Sequence, residues 1–538
     1  MLMDGARHEL NQYDAYNVWG SPPSTEEEVP ADATVLDTKY FSKPKMKNGK
    51  LIAKGRLTPR PFNDPERFDY RNDSPAVAKA TLLCMLSMIL SFGWQVGKLD
   101  ISGAFLQGDP LRRNIWVELP QILIKMGLVD PIRRFRKIVK GVYGLNQAPR
   151  LWFVRLCKFL CSIGFTQSLI DPCLFILVRG GAVVALLAIY VDDLLMGGKI
   201  ETIEEILAAL DAEFTSGNPE LSTKVDCMSY TGKDLTFSRA PDGRLKEIRV
   251  DQTAYINSKL APTIPEIDFG KRTAQEPLKP KECDTYRELQ GKLAWIGNTR
   301  MDIAIDISEG ASASHAPTVG DMKRNIKVAK NVAASAALSI VLAPIELAYL
   351  CLVLFADGSW ANEGNRTKGG HAVFLADRRT VGSRSPAGAC MLTWLCASLK
   401  RICTSTFDSE TLSLLRGCDD LTALGFLVTE MRHGRLPNIL ERALMSGFGS
   451  REVPRPILPM FAYCDGKSVI DAIYSSRWQI KSKRRRVDLA SLRESGELEH
   501  VAFSHCDTDK MVVDGLTKSD AKLRLALTQA MSGQVSFP

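Results

Sequence analysis

AIYVDDLLMGG, residues 188–198, is an apolar strand that ends in two adjacent acids and resumes as Leu-Leu-Met-Gly-Gly. The β-branched and aliphatic run Val183–Val191 before it predicts a hairpin with a charged tip. A second stretch, GKLDISGAFLQGD at 97–109, delivers Asp100 from the end of another apolar strand. Two neighbouring carboxylates between apolar strands repel each other unless something offsets their charge, and a divalent cation does so. Phosphoryl transfer to a 3′-hydroxyl requires such a cation pair, about 3.5–4 Å apart. Carboxylate oxygens suit Mg²⁺. Taken alone, Tyr-X-Asp-Asp is more often a solvated turn, so the flanking sequence has to decide.

Outward from these strands, the chain has 538 residues, more than one hydrophobic core usually organises. At 45% hydrophobic and 24% charged it has the composition of a folded globular protein. Its 69 Lys+Arg against 61 Asp+Glu give a net charge of +8, which suits a polyanionic partner but is common in other enzymes. The 13 Cys are scattered, with no CxxC pair and no zinc spacing, as expected of free thiols. Residues 1–12 carry charges and no apolar run, which argues against a secretory signal. Ala76–Val96 is interrupted by Lys79, and Ala333–Ala356 by Pro344 and Glu346, so no membrane span is expected. The polar SPPSTEEEVP predicts a flexible lead-in over 1–44. Helices are expected over Pro75–Phe92, Leu151–Ile163, Glu201–Phe214 and much of Tyr286–Lys330, with Thr299 as an N-cap and Pro317 at a helix start. Pro262–Lys281 has the composition of a linker.

Six blocks stand in order along the first half: KGRLTPRPF (54–62), LDISGAFLQGD (99–109), IWVELP (115–120), VYGLNQAPRLWF (142–153), GFTQSLIDPCLF (164–175) and YVDD (190–193). Together they resemble the reverse transcriptase of copia-type (Ty1/copia) LTR retrotransposons. The resemblance implies that Asp100 and Asp192 hold metal and that Asp193 is the third acid of a polymerase site. It places Phe105 under the sugar of the incoming nucleotide, although a core aromatic would also fit after a strand. Gln147 and Tyr190 fall beside that nucleotide, and Arg150 beside its loop or the template. Lys54, Arg56 and Arg60 fall in the fingers, where cations meet triphosphate oxygens; solvated surface charge is the alternative for each. PRPFNDPERFDY departs from the family's usual fingers sequence. Looser likenesses follow in YTGKDLTF (230–237), VDQTAYINSKL (250–260) and YRELQGKLAWIGNTRMDIAIDIS (286–308).

A second set of acids follows: Asp357 in LVLFADGSW, Glu410 in STFDSETLSLLRG, Asp465 in MFAYCDGKSVIDAI and Asp514 in KMVVDGLTKSD. Strand, helix, strand and helix start would deliver four acids to one place, which is what a second two-metal phosphodiester site needs. They resemble the Asp-Glu-Asp-Asp set of ribonuclease H, with FDSETLS a departure at Glu410 and His505 either the counterpart of a histidine found in some of that family or a plain surface histidine. Arg477 and KSKRRR (Lys481, Lys483, Arg484, Arg485, Arg486) suit an RNA/DNA hybrid backbone, or alternatively nuclear targeting.

The resemblance implies an α+β fold: a right-hand polymerase of fingers, palm and thumb, followed by an α/β ribonuclease H-like domain. The expected division is fingers and palm over 45–260, a mostly helical thumb and connection over 261–345, the ribonuclease H-like domain over 346–525 and a tail over 526–538. The implied activity is RNA-directed DNA synthesis with RNA/DNA hybrid hydrolysis, with two Mg²⁺ per site, or Mn²⁺ in their place. The implied partners are an RNA template, a DNA or tRNA primer, RNA/DNA hybrid, dNTPs and other Pol segments such as integrase, with no membrane. An intracellular location is expected, cytoplasmic within a virus-like particle or nuclear. The departures leave open a second reading, a catalytically decayed remnant that only binds nucleic acid.

Overall fold

Strands β1 (Thr34–Lys47) and β2 (Lys50–Pro59) pair as an antiparallel ribbon, with Thr38 opposite Pro59. The computed structural model describes every residue except 48–49, 361–366, 437–457, 476–479, 481 and 499–500. β1 also pairs in parallel with β4 (Pro110–Glu118), which joins β5 (Phe135–Lys140), giving the order β2-β1-β4-β5. A bidentate ion pair from Arg113 to Asp64, at 2.6 and 2.8 Å and almost fully buried, pins the divergent PRPFNDPERFDY segment to this sheet.

The palm is a six-stranded sheet, β10-β3-β9-β8-β7-β6, of β3 (Gln95–Asp100), β6 (Phe165–Gln167), β7 (Leu174–Arg179), β8 (Ala182–Tyr190), β9 (Asp193–Gly198) and β10 (Glu220–Leu221). Leu186–Ile189 and Leu194–Met196 are fully buried, so both faces of the hairpin are covered and it reads as continuous apolar sequence rather than as an alternation. Helices Lys79–Phe92 and Ile200–Glu213 pack on it. A third sheet, β11 (Cys227–Tyr230), β12 (Lys233–Arg239), β13 (Leu245–Asp251) and β14 (Ile340–Leu342), lies beside the helices Pro280–Ile296, Ala304–Ala313 and Val319–Ala334.

The last sheet runs β19-β18-β15-β16-β17-β20. β15 (Leu350–Ser359), β16 (Lys368–Asp377) and β17 (Pro386–Ser398) form an antiparallel meander. β18 (Met460–Cys464) and β19 (Val501–His505) add in parallel beside β15, and the 28-residue helix Thr406–His433 packs against β15 and β16. The arrangement is the expected α+β polymerase fold followed by a ribonuclease H-like unit. One apolar cluster runs from helix Lys79–Phe92 through the palm into this last sheet. Glu430, 3% exposed on the long helix, accepts hydrogen bonds from the Ser168 hydroxyl and from the Leu169 N–H (3.0 Å), joining the two units.

Four expectations differ from the structure. Residues 1–44 are not a flexible lead-in: helix Leu2–Ala15 buries Ala6, Glu9 and Tyr13, and Thr34 begins β1. Residues 526–538 are not a tail: helix Ala521–Met531 leads to β20 (Gln534–Ser536) on β17, with Phe537 fully buried. Thr299 does not cap a helix; its buried hydroxyl meets the Gln252 side chain at 2.9 Å, and Ala304–Ala313 begins after a 3₁₀ turn. At Pro317 the N-cap is the next residue, Thr318, which shares a capping box with Asp321. Among the described residues, no helix is long and apolar enough to cross a membrane.

Candidate active sites

β3 and β9 pair antiparallel, and their register sets Asp100 directly opposite Asp193. Opposed residues of such a pair point to the same face, with Cβ atoms about 5 Å apart. Asp192 sits in the two-residue turn between Tyr190 and Asp193. Its carbonyl accepts from the N–H of Ile101 at 2.8 Å, so the chain just past Asp100 is stitched to the turn. The turn is strained, for Val191 has φ 61°, which a β-branched residue adopts only at a cost. Trp152 Nε1 donates to the Val191 carbonyl at 2.7 Å and helps to hold it.

The electrostatics are those of crowded acids. Burial pushes the Asp193 carboxyl up to about 7, against the pull of Lys98, whose Nζ lies 3.8 Å away. Asp193 Oδ1 is buried with no hydrogen-bond partner. Burial also raises Asp192, the charge of Asp100 adds to this, and Lys54 and Arg56 counter it. Asp100 is exposed. The three carboxylates do not all lie within 4.8 Å of one another, unlike Asp357, Asp465 and Asp514 of the second site. An orphaned buried oxygen, oxygen-only donors and mutual repulsion fit a hard divalent cation.

Around the acids the fingers contribute Arg56, whose guanidinium lies 4.0 Å over the Tyr143 ring. Tyr143 in turn contacts Phe105, with ring centroids 4.9 Å apart. Gly144, at φ 102°, allows this turn to press on β2, because a Cβ there would lie 2.2 Å from Thr58. Lys54 and Arg56 therefore act on the acid site, whereas Arg60 is occupied by Asp37 (3.0 Å) and Arg150 by Asp73 (3.1 Å). Gln147 is buried at the start of helix Ala148–Ser162 and shares a small cleft with Asp64 and Arg113. Tyr190 is half-buried and pairs across the hairpin with Asp193. Tyr143, Lys98 and Trp152 were not singled out from sequence; of these, Tyr143 and Trp152 lie inside the VYGLNQAPRLWF block.

The second constellation is tighter. Asp357 on β15, Asp465 just past β18 and Asp514 on a 3₁₀ turn bring ligand atoms within 4.8 Å of one another, as do Glu410, Cys464 and Asp465. Gly358 lets the long helix approach β15, since a Cβ there would lie 2.3 Å from the Ser409 backbone. Burial and the neighbouring Asp514 and Asp465 charges raise Asp357; burial and the charges of Asp357 and Asp465 raise Glu410. Asp514 is also raised by burial, and its Oδ1 has no partner. Lys518 Nζ lies 3.0 Å from Asp514 and 3.9 Å from Asp357, and the Thr517 hydroxyl donates to Asp357. Neither residue was anticipated, although LTK follows Asp514 after a single glycine, Gly515. His505 Nε2 lies 3.2 Å from the Asp465 carbonyl. In the basic run, Arg485 is turned inward onto Asp408 and Thr404, Arg484 lines a cleft with Arg401 and Asp488, and Lys483 and Arg486 lie in the first turn of helix Lys483–Leu498. Arg477 and Lys481 lie outside the described residues.

Residues 25–260 match the family model described as reverse transcriptase (RNA-dependent DNA polymerase). The retrovirus-related Pol polyprotein from transposon RE2 of Arabidopsis thaliana is 24% identical over 541 residues, covering 98% of this chain and 34% of that protein. The corresponding polyprotein from transposon TNT 1-94 of Nicotiana tabacum is 32% identical over 176 residues, 32% of this chain and 13% of that one. Among solved structures, the foamy viral protease-reverse transcriptase in complex with dsDNA covers 94% of both chains at 11% identity, with a TM-score of 0.43. The chain spans about a third of the length of the RE2 polyprotein.

Proposed function

From the premise that this chain is a copia-type Pol segment with a reverse transcriptase domain over residues 25–260, we propose that it extends a primer on an RNA template and degrades the RNA of the resulting hybrid. The observation that carries the first activity is the β3–β9 register, which faces Asp100 to Asp193 and stitches Asp192 beside them. Asp100 and Asp192 would hold Mg²⁺, with Asp193 as the third acid. Bound there, the ions would activate the primer 3′-hydroxyl and stabilise the departing pyrophosphate. The protein's own groups do the rest. Lys54 and Arg56 meet triphosphate oxygens, Phe105 packed on Tyr143 forms a wall under the sugar that excludes a 2′-hydroxyl, and the Trp152 bond keeps the acid-bearing turn in place. The β11–β12 hairpin, with Thr231 and Gly232 at positive φ in its two-residue turn, lies beside Asp193 and contacts the primer end.

For hybrid hydrolysis, Asp357, Glu410, Asp465 and Asp514 would hold the metal, and Lys518 offsets the charge of Asp357 and Asp514. The partners are an RNA template with its primer, RNA/DNA hybrid and dNTPs. The test is dNTP incorporation on a primed RNA template and degradation of a labelled hybrid, both in Mg²⁺. Wild type is expected to do both, Asp192→Asn to lose only incorporation and Asp465→Asn to lose only degradation. No incorporation by wild type, or equal incorporation by Asp192→Asn, leaves the decayed remnant as the better account.

A further inference from the structure

Helix Leu2–Ala15 lies along β2, the open edge of its sheet. The approach is close because small residues make it. A Cβ on Gly5 would lie 2.4 Å from the Ala53 carbonyl, and one on Gly55 would lie 2.7 Å from the Gly5 carbonyl. An edge strand presents N–H and C=O groups without ladder partners. At Leu57 the helix supplies both: Glu9 Oε1 accepts from the Leu57 N–H at 3.1 Å, and the Tyr13 hydroxyl donates to the Leu57 carbonyl at 2.8 Å.

The second oxygen of the same carboxylate faces the neighbouring residue. Glu9, only 3% exposed, places Oε2 3.7 Å from the Arg56 guanidinium. That guanidinium is the one stacked on Tyr143, and Tyr143 is the ring against Phe105. Burial raises the Glu9 carboxyl, while the Leu57 N–H and the charges of Arg56 and Lys54 oppose that rise. One turn further on, the Tyr16 hydroxyl donates to the Ser102 carbonyl at 3.1 Å, in the loop that follows Asp100. A single helix thus ties the fingers strand to the loop carrying Phe105. An arginine on an exposed strand has many rotamers, and a buried acid fixed to the adjacent backbone selects one of them.

Resting on the polymerase activity proposed above, we infer that Glu9 is a positioning residue for the incoming nucleotide, holding Arg56 across Tyr143 where its guanidinium meets the triphosphate. Glu9 touches neither substrate nor metal. Its effect passes through Arg56, so it governs nucleotide affinity rather than the chemical step.

The test is steady-state dNTP kinetics of the full chain on a primed RNA template, comparing wild type, Glu9→Gln, Arg56→Gln and the double variant. Glutamine keeps the acceptor for Leu57 and removes the charge. The expected result for Glu9→Gln is a dNTP KM raised about tenfold with kcat within about twofold. The double variant should be no worse than Arg56→Gln alone, because residues acting through one another are not additive. Tyr13→Phe, which removes only the bond to the Leu57 carbonyl, should lower the melting temperature and leave KM unchanged. A wild-type KM in Glu9→Gln alongside a raised KM in Arg56→Gln, or effects that multiply in the double variant, would overturn the inference and leave the polymerase activity standing. Should Glu9→Gln fail to fold, Glu9→Asp decides: a KM raised about threefold supports the inference and a wild-type KM overturns it. A wild-type chain that incorporates no dNTP removes the polymerase proposal itself, and the inference with it.

Discussion

Asp193→Asn should stabilise the palm when no metal is bound, although it removes a proposed site residue. Burial lifts the Asp193 carboxyl from an ordinary 3.8 to about 7. Below pH 4 the group is protonated whether or not the palm is folded, and it costs nothing. Between about pH 4 and 7 the unfolded chain releases the proton that the folded palm retains, so stability falls as pH rises, and above 7 the penalty is complete. At ~1.4 kcal/mol per tenfold in proton affinity, the upper bound is ~4 kcal/mol. With the side chain 20% exposed, solvent screening reduces this to ~2–3 kcal/mol. Asparagine carries no charge and should recover most of it. Hydrogen exchange along β3 and β9 reads the local opening free energy directly. In metal-free buffer at pH 8 the variant's amides should exchange more slowly than wild type by ~2 kcal/mol of protection, and at pH 4 the two should coincide. Millimolar Mg²⁺ should slow exchange more in wild type than in the variant, which keeps Asp100 and Asp192 but lacks the third charge. Faster exchange in the variant at pH 8, or a difference independent of pH, would refute the reasoning that burial of the Asp193 carboxylate destabilises this site.

Three other substitutions probe separate contacts. Trp152→Phe removes the 2.7 Å bond to Val191, worth ~1 kcal/mol, and should slow single-nucleotide incorporation about fivefold in a quench-flow assay with little change in hybrid degradation. Lys518→Met removes the cation 3.0 Å from Asp514, so the Mg²⁺ concentration for half-maximal hybrid cleavage should fall severalfold; a higher requirement would show instead that Lys518 assists the chemistry. Glu430→Ala leaves the Ser168 hydroxyl and Leu169 N–H without their acceptor at ~1–3 kcal/mol each, and should speed amide exchange over residues 168–171 while primer extension stays within about threefold.

The acid-tipped hairpin was legible because both of its strands are apolar and its two carboxylates fall together at the turn between them, a pattern that survives without tertiary information. The ribonuclease H-like acids were legible in order but not in spacing: only the sheet order β18-β15-β16 and the glycine approach at Gly358 bring Asp357, Glu410 and Asp465 together. The N-terminal helix was not legible. MDGARHELNQYDA offers no apolar stripe, because the helix is seated through Gly5, Ala6 and two hydrogen bonds with an edge strand far along the chain, one accepted by Glu9 and one donated by Tyr13. The closing segment was missed for a related reason, since a three-residue strand and one buried ring, Phe537, leave no periodicity to detect. Arg60, Arg150 and Arg485 matched expected positions in sequence, yet each is paired with a neighbouring acid, which residue type alone does not reveal.

The central claim is that Asp100, Asp192 and Asp193 form a divalent-cation site at a primer terminus. Anomalous scattering from Mn²⁺ in crystals of the chain with a primed RNA template and a non-hydrolysable nucleotide addresses it directly. Two peaks about 3.5–4 Å apart, bounded by the carboxylates of Asp100 and Asp192 and absent in Asp192→Asn, are the predicted outcome. Template and nucleotide seated with no peak at these carboxylates would contradict it.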